Sequence, residues 1–154
     1  MITVYRICHQ QFIGDTSGLG AKKYGGRWNP EGVACLYCSE RLSLAVLEKL
    51  VHAQGKTDLV NLGTVSFGIP ASTPLYTIDV KKMQPDWRND IGYTQWMGQQ
   101  ILANSSYAGF IVPSIIIEQE YNIVLNPLSE LFGAIEISPV ETFEIDKRLI
   151  AGTH

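Results

Sequence analysis

The segment YGGRWNP, residues 24–30, carries an arginine on an unusual stretch of backbone. Gly25 and Gly26 free the main chain at this point and let it come close to a ligand. The planar guanidinium of Arg27 suits a phosphorylated partner, because it can donate paired hydrogen bonds to phosphate oxygens. The segment therefore predicts an arginine held to meet a planar or phosphorylated partner, with Trp28 packed beneath the turn.

A carboxylate follows at Glu48, on a helix predicted over residues 40–52 with Ser39 as its N-cap. Each helical residue turns by about 100°, so Glu48 lies about 40° from Leu44, at the edge of the apolar face. Such a position suits either a solvated residue on the rim of the helix or a carboxylate directed into a cleft. The pattern alone favours the rim.

Tyr37 comes before that helix, on a strand predicted over residues 33–39 that is apolar on both faces, as in a buried strand. A buried tyrosine usually finds a local acceptor for its hydroxyl. A role in the core and a role in a binding site both stay open for Tyr37, and the core role is favoured.

Three further polar residues stand at strands or at their ends. Arg6 lies within the first predicted strand, residues 2–7, where a charge is rare unless it is paired or functional. Ser114 follows Pro113, and Asn122 opens a short predicted strand. Taken alone, these last two are typical turn formers.

Cys35 and Cys38 form a C-x-x-C pair that suggests zinc or redox chemistry. A metal or redox pair at this spacing needs a turn, whereas residues i and i+3 of a strand point to opposite faces. No second C-x-x-C completes a zinc site. The sequence favours buried structural thiols and predicts no metal site.

The rest of the chain predicts the elements around these residues. A helix is expected at 91–105, a long loop at 14–26, and further strands at 59–70, 108–117, 122–125 and within 133–146. Strands that do not alternate regularly with helices indicate an α+β fold. The length of 154 residues suits a single domain.

The composition argues against two classes of binding surface. The chain is 45% hydrophobic, with a net charge of −3 and no run of Lys or Arg, which argues against a nucleic-acid or membrane surface. We find no candidate signal peptide and no apolar stretch near the roughly 18 residues of a membrane span. Three cysteines are expected as reduced thiols, so a cytoplasmic location is predicted.

Taken together, the motifs resemble those of the RES domain family, the toxin halves of Res–Xre toxin–antitoxin pairs. The resemblance rests on VYRI, YGGRWNP, LYCSERLSLAVLEKLVH, IVPS and EYNIVLNP, in this order from about residue 4 to residue 148. It implies a fold similar to the diphtheria-toxin group of ADP-ribosyltransferases, which grip NAD+ in a cleft between two small twisted sheets. The extreme C-terminus is expected to fray.

The resemblance also implies residue roles. The catalytic Arg–Tyr–Glu set of the family falls on Arg27, Tyr37 and Glu48. Arg6, Ser114 and Asn122 match further motif positions and are expected to bind NAD+ together with Arg27 and Tyr37. Arg27 would bind the pyrophosphate, Tyr37 would offer its ring and hydroxyl to nicotinamide or ribose, and Glu48 would stabilise the transition state. Arg6 would share the phosphate or stay structural.

The activity implied is consumption of NAD+ as a substrate, with no cofactor, by hydrolysis or phosphorolysis. One alternative is a mono-ADP-ribosyltransferase that modifies a protein, and another is a catalytically silent module that binds a nucleotide or a partner. The resemblance implies an Xre-like antitoxin as partner and makes a homodimer a candidate assembly.

Overall fold

The computed structural model describes residues 1–151, which form an α+β fold as predicted. The strands are β1 Ile2–His9, β2 Leu36–Ser39, β3 Leu62–Ile69, β4 Tyr76–Thr77, β5 Gly109–Pro113, β6 Tyr121–Leu125, β7 Glu136–Ile137 and β8 Glu141–Phe143. The helices are α1 Gln10–Ile13, α2 Leu19–Tyr24, α3 Leu42–His52, α4 Ile91–Leu102 and α5 Lys147–Ala151. The expected fraying beyond Ala151 lies outside the described residues.

The strands form one mixed sheet in the order β4-β5-β6-β2-β1-β3-β7, with β8 also paired to β3. The pair β4–β5 is parallel and the other pairs are antiparallel. β1 and β2 meet at one register pair, Tyr5 and Ser39, whereas β1 pairs with β3 over its whole length. The structure therefore has one continuous sheet in place of the two small sheets that were expected. Its two halves meet at the Tyr5–Ser39 pair, which we call the waist of the sheet.

The core lies on both faces of the β2-β6-β5 half of the sheet. Leu36 and Cys38 of β2 join one buried cluster with Phe67, while Cys35 joins another with Phe110. This alternation follows from the period of two along a strand. It confirms the expectation that the segment around β2 is apolar on both faces.

Several element boundaries differ from the prediction. The expected loop 14–26 contains α2, Leu19–Tyr24, which is flanked by Gly18 and Gly25, both with positive φ (77° and 72°). Ser39 does not cap the next helix, which begins at Leu42 with Arg41 as its N-cap. The Ser39 hydroxyl donates instead to Asn122 on the neighbouring strand, so a tertiary partner replaces the local one.

The other differences are at strand and helix ends. The strand expected over 59–70 begins at Leu62, because Leu59 lies in a short 3-10 helix. The strand expected over 108–117 stops at Pro113, and α4 ends at Leu102. The C-terminal β pattern gives only β7 and β8 and is followed by α5, which was not predicted.

Candidate functional site

A cleft of about 680 Å³ opens over the waist of the sheet, between α3 and the turn that carries Arg27. Five of the six predicted site residues line it: Arg6, Arg27, Tyr37, Glu48 and Asn122. The sixth, Ser114, is 1% exposed and hydrogen-bonded to Glu48. The structure thus brings all six predicted residues to one place.

Glu48 is held at both of its carboxylate oxygens. Oε1 accepts hydrogen bonds from Ser114 Oγ at 2.9 Å and from Asn122 Nδ2 at 2.7 Å. Oε2 lies 3.4 Å from Nε2 of His52, one helical turn later, and the Glu48 side chain is 22% exposed. The expectation of a solvated rim residue is therefore wrong, because the partners on β6 and after β5 draw the carboxylate into the cleft.

The two partners of Oε1 are themselves oriented. The hydroxyl of Ser114 accepts from the backbone N–H groups of Ile116 and Ile117, so its proton is free for Glu48. The side-chain oxygen of Asn122 accepts from the hydroxyl of Ser39, which turns its NH₂ group toward Glu48. Taken alone, both residues are typical turn formers, and the resemblance makes both NAD+-binding positions. In the structure both orient the carboxylate.

These hydrogen bonds shift the pKa values of Glu48 and His52. Burial opposes ionisation of Glu48, but the hydrogen bonds from His52, Asn122 and Ser114 outweigh it and lower the pKa of the carboxyl. The hydrogen bond to Glu48 raises the pKa of His52 against the opposing effects of burial and of Arg27 and Lys49. Glu48 is therefore a carboxylate at neutral pH.

Two of the cationic side chains that line the cleft, Arg27 and Arg6, are anchored arginines. Arg27 Nη1 donates to the backbone oxygen of Arg88 at 2.7 Å. Arg6 Nη1 donates to the backbone oxygens of Asp15 at 3.0 Å and Ile13 at 3.4 Å. A guanidinium has five N–H donors, so each anchor fixes the group and leaves further donors for an anion.

Tyr37 braces the arginine turn through its hydroxyl. That hydroxyl donates to Asn29 Oδ1 at 2.6 Å and accepts from the N–H of Trp28 at 3.0 Å. The local acceptor expected of a core tyrosine is thus present, while Tyr37 also lines the cleft. The hydroxyl is engaged by the protein, which leaves the ring as the part that can contact a ligand.

Two residues of this site were missed in the sequence. Asn29 is fully buried, and its Nδ2 donates to the backbone oxygens of Ala21, Pro30 and Val33. A turn has no periodic sequence pattern, so the sequence could not show that Asn29 bonds several backbone oxygens. His52, however, stands four residues after Glu48 on the same helix, and that spacing was a usable signal for a side-chain pair.

The remaining predictions on this site concern Trp28 and the cysteines. Trp28 is 3% exposed and packs against Trp87 and Phe110 with ring centroids 5.8 and 6.0 Å away, which confirms that it lies beneath the turn. Cys35 and Cys38 are free thiols in different core clusters, and burial raises the pKa of each to about 12. Both thiols are buried, as expected.

Within residues 1–151, no group of three or more His, Cys, Asp or Glu side chains is arranged to hold a metal ion. None of the helices in the described part of the chain is both long enough and apolar enough to cross a membrane.

Comparison with known proteins identifies the family of the chain. The RES domain profile matches residues 3–146. The chain is 34% identical to a protein named Toxin Res from Photorhabdus laumondii over 96% of both chains. It is 31% identical to the Prs ADP-ribosylating toxin of a Sphingobium species, covering 88% of this chain and 87% of that one.

A solved structure agrees on the fold. The chain superposes on a chain from the M. tuberculosis MbcT-MbcA toxin-antitoxin complex with a TM-score of 0.77 at 16% identity, covering 97% of this chain and 89% of the other. At that identity the likeness shows the fold alone. By its sequence match and its closely similar relatives, the chain belongs to the RES domain family.

Proposed function

We propose that this protein is a toxin of a bacterial toxin–antitoxin pair that consumes NAD+ by cleaving the bond between nicotinamide and ribose. The observation that carries the proposal is the ionised Glu48 carboxylate, fixed by Ser114 and Asn122 in a cleft that also holds two arginines. The names of the relatives support the toxin assignment.

The chemistry of NAD+ suits a site with one fixed carboxylate. The nicotinamide nitrogen already carries a positive charge, so the electron pair of the breaking bond neutralises it and no general acid is needed. The barrier lies in a transition state in which positive charge develops on the ribose, as in glycoside hydrolysis. A carboxylate that is already oriented stabilises that charge without reorganising.

The arginines suit the other half of the substrate. Arg27 is anchored through one nitrogen to the backbone of Arg88, and its remaining donors can pair with the pyrophosphate. Arg6 is anchored in the same way and lines the same cleft, so it can share that charge. The ring of Tyr37 then offers an apolar face to nicotinamide or ribose.

The acceptor of ADP-ribose distinguishes two reactions. Attack by water or inorganic phosphate at the anomeric carbon gives free ADP-ribose or its phosphate. Attack by a protein side chain makes the protein a mono-ADP-ribosyltransferase, and the relative named Prs ADP-ribosylating toxin favours this second candidate. Both reactions use the same carboxylate at the same bond.

The proposed partner is an antitoxin of the Xre-like class. The fold neighbour was solved as a toxin-antitoxin complex, which supports an antitoxin partner for this chain. An adjacent gene for a small Xre-like helical protein is the observation that tests the partner directly.

The deciding experiment identifies products. Purified protein is incubated with NAD+, with and without inorganic phosphate, and in parallel with labelled NAD+ and cell lysate. Nicotinamide release with free ADP-ribose or its phosphate supports consumption, whereas label on a protein supports the transferase. Binding of NAD+ without release of nicotinamide would contradict both reactions and favour a silent binding module.

A further inference from the structure

Helix α4 contacts three successive backbone oxygens of the arginine turn. Thr94 Oγ1 donates to the oxygen of Arg27 at 2.6 Å, and Gln95 Nε2 donates to the oxygen of Gly26 at 2.9 Å. The third oxygen, that of Trp28, lies against Gly98, where an added Cβ would be only 1.8 Å from it. We infer that Thr94, Gln95 and Gly98 are positioning residues for Arg27.

The burial of Thr94 supports this role. Its side chain lies on the buried face of α4, with Gly98 and Leu102, and it is 0% exposed. The hydroxyl has further contacts to backbone oxygens of its own helix, at 3.1 and 3.5 Å, but the bond to Arg27 is shorter. The bond is partly buried, and the fully buried Thr94 hydroxyl supplies the donor that the Arg27 backbone oxygen needs.

The side chain of Arg27 is tied to the same region. Its Nη1 donates to the oxygen of Arg88, in the 3-10 helix Trp87–Asn89 that directly precedes α4. Backbone and guanidinium of Arg27 are therefore both located by the segment 87–98. Glu48, in contrast, is located by Ser114 and by Asn122 of β6.

The consequence is that α4 sets where the cation stands relative to the carboxylate. This rests on the proposed function only in what it says about ligand binding, because the positioning itself is a property of the free protein. Loss of the Thr94 or Gln95 bond should loosen Arg27 and weaken binding of a pyrophosphate, and it should leave the hydrogen bonds of Glu48 in place.

The test compares Thr94→Val and Gln95→Ala with two controls. Gln99→Ala removes an exposed glutamine from the same helix, and Thr94→Ser keeps the hydroxyl. The probe is ADP-ribose, which carries the pyrophosphate and has no nicotinamide bond to cleave. We expect Thr94→Val and Gln95→Ala each to weaken its binding about three- to tenfold, the range for one lost hydrogen bond, and both controls to bind normally.

A double-mutant cycle separates positioning from a general structural effect. In an Arg27→Ala background, Thr94→Val should weaken ADP-ribose binding by less than about twofold, because the group through which it acts is gone. A loss as large as in the wild type would overturn the inference.

A second readout needs no nucleotide. Nitrogen-15 relaxation of the Arg27 Nε–H group in the free protein should show lower order in Thr94→Val and Gln95→Ala than in the wild type and Gln99→Ala. Unchanged order would overturn the inference even if binding fell. Failure of the wild type to bind ADP-ribose would contradict the proposed function, and the order of Arg27 would still decide the role of α4.

Discussion

The two carboxylate oxygens of Glu48 have different neighbours, and the difference indicates which oxygen a substrate can contact. Oε1 accepts from Ser114 and Asn122, which are a buried and a half-buried side chain. Oε2 faces His52 at 3.4 Å, and the His52 side chain is 75% exposed. A ribose hydroxyl can replace His52 at Oε2 at little cost, so we expect substrate to contact that oxygen while Oε1 keeps the carboxylate in place.

The first prediction concerns Glu48→Gln. The change keeps the shape of the side chain and removes its charge, so nicotinamide release should fall about a hundredfold or more while NAD+ still binds. Unfolding should become easier by about 1–2 kcal/mol, because two charge-assisted hydrogen bonds become neutral ones. Nicotinamide release, NAD+ affinity and urea unfolding are measured together.

The matched control for this variant is Glu136→Gln, which makes the same chemical change on exposed β7. It should leave turnover and stability unchanged. A Glu48→Gln protein that folds, binds NAD+ and turns over at nearly the wild-type rate would remove Glu48 from the mechanism.

The second prediction concerns the paired hydrogen-bond donors of the Arg27 guanidinium. Arg27→Ala should weaken NAD+ binding by about 1.5–3 kcal/mol, the range for a lost hydrogen bond to a charged group. Arg27→Lys should restore only part of that, because an ammonium lacks the planar pair of donors. Arg148→Ala on α5 is the control, since Arg148 is exposed and pairs with Asp146. Full restoration by lysine would show that charge alone is sufficient.

At the scale of elements, helix α3 shows what periodicity can and cannot reveal. The pattern correctly located Glu48 at the edge of the apolar face, but it could not show what lies opposite that edge. Ser114 and Asn122, whose hydrogen bonds direct Glu48 into the cleft, stand 66 and 74 positions later in the chain. Without the family motifs, the rim would have been the reasonable and mistaken conclusion.

The same limit explains α4 and α2. The helical pattern of α4 rests on Ile91, Trp96, Met97, Ile101 and Leu102. Ile91 and Trp96 are exposed and the other three are buried or packed against the core, but the buried face also contains Thr94 and Gly98. Their spacing marks one face, but their types reflect contact with the arginine turn, which no local pattern encodes. Helix α2 was missed because it has only six residues, contains Gly20, and is flanked by Gly18 and Gly25.

The third prediction is a pH effect carried by the Glu48–His52 pair on α3. The folded pKa of His52 is raised by Glu48, so its contribution to stability is full below the unfolded value of about 6.5 and is lost as pH rises through the folded value. The folded pKa of Glu48 is lowered, so the carboxylate persists below its unfolded value of about 4.3.

The stability advantage of the wild type over His52→Gln should therefore be largest near pH 5–6 and shrink toward pH 8. It should stay below about 1 kcal/mol, because His52 is exposed and the pair is screened. Arg27 and Lys49 also face His52 and oppose its protonation, which keeps the effect small. Urea unfolding at a series of pH values measures it, and an advantage that is constant from pH 5 to pH 8 would contradict the pairing.

At the scale of the whole molecule, two supports meet at the waist of the sheet. The carboxylate is held by α3 and the β5-β6 half, whereas the arginine turn is held by α4 with its preceding segment and by Tyr37 of β2. The chain has a net charge of −3, yet Arg6, Arg27 and Lys49 line the cleft beside the carboxylates of Asp15 and Glu48. This local excess of cationic side chains favours a small anion in the cleft of an otherwise acidic protein.

The last prediction is made in the cell. If the proposed reaction is correct, expression of the chain alone in bacteria should arrest growth and lower cellular NAD+ at the same time, because each turnover destroys one molecule. Expression of Glu48→Gln to the same level should do neither, since a hundredfold slower enzyme lets NAD+ synthesis keep pace. Co-expression of the cognate antitoxin should restore both growth and NAD+. Growth arrest with NAD+ unchanged would reject depletion as the mechanism and favour modification of a protein, because that reaction needs only as many molecules of NAD+ as there are target sites.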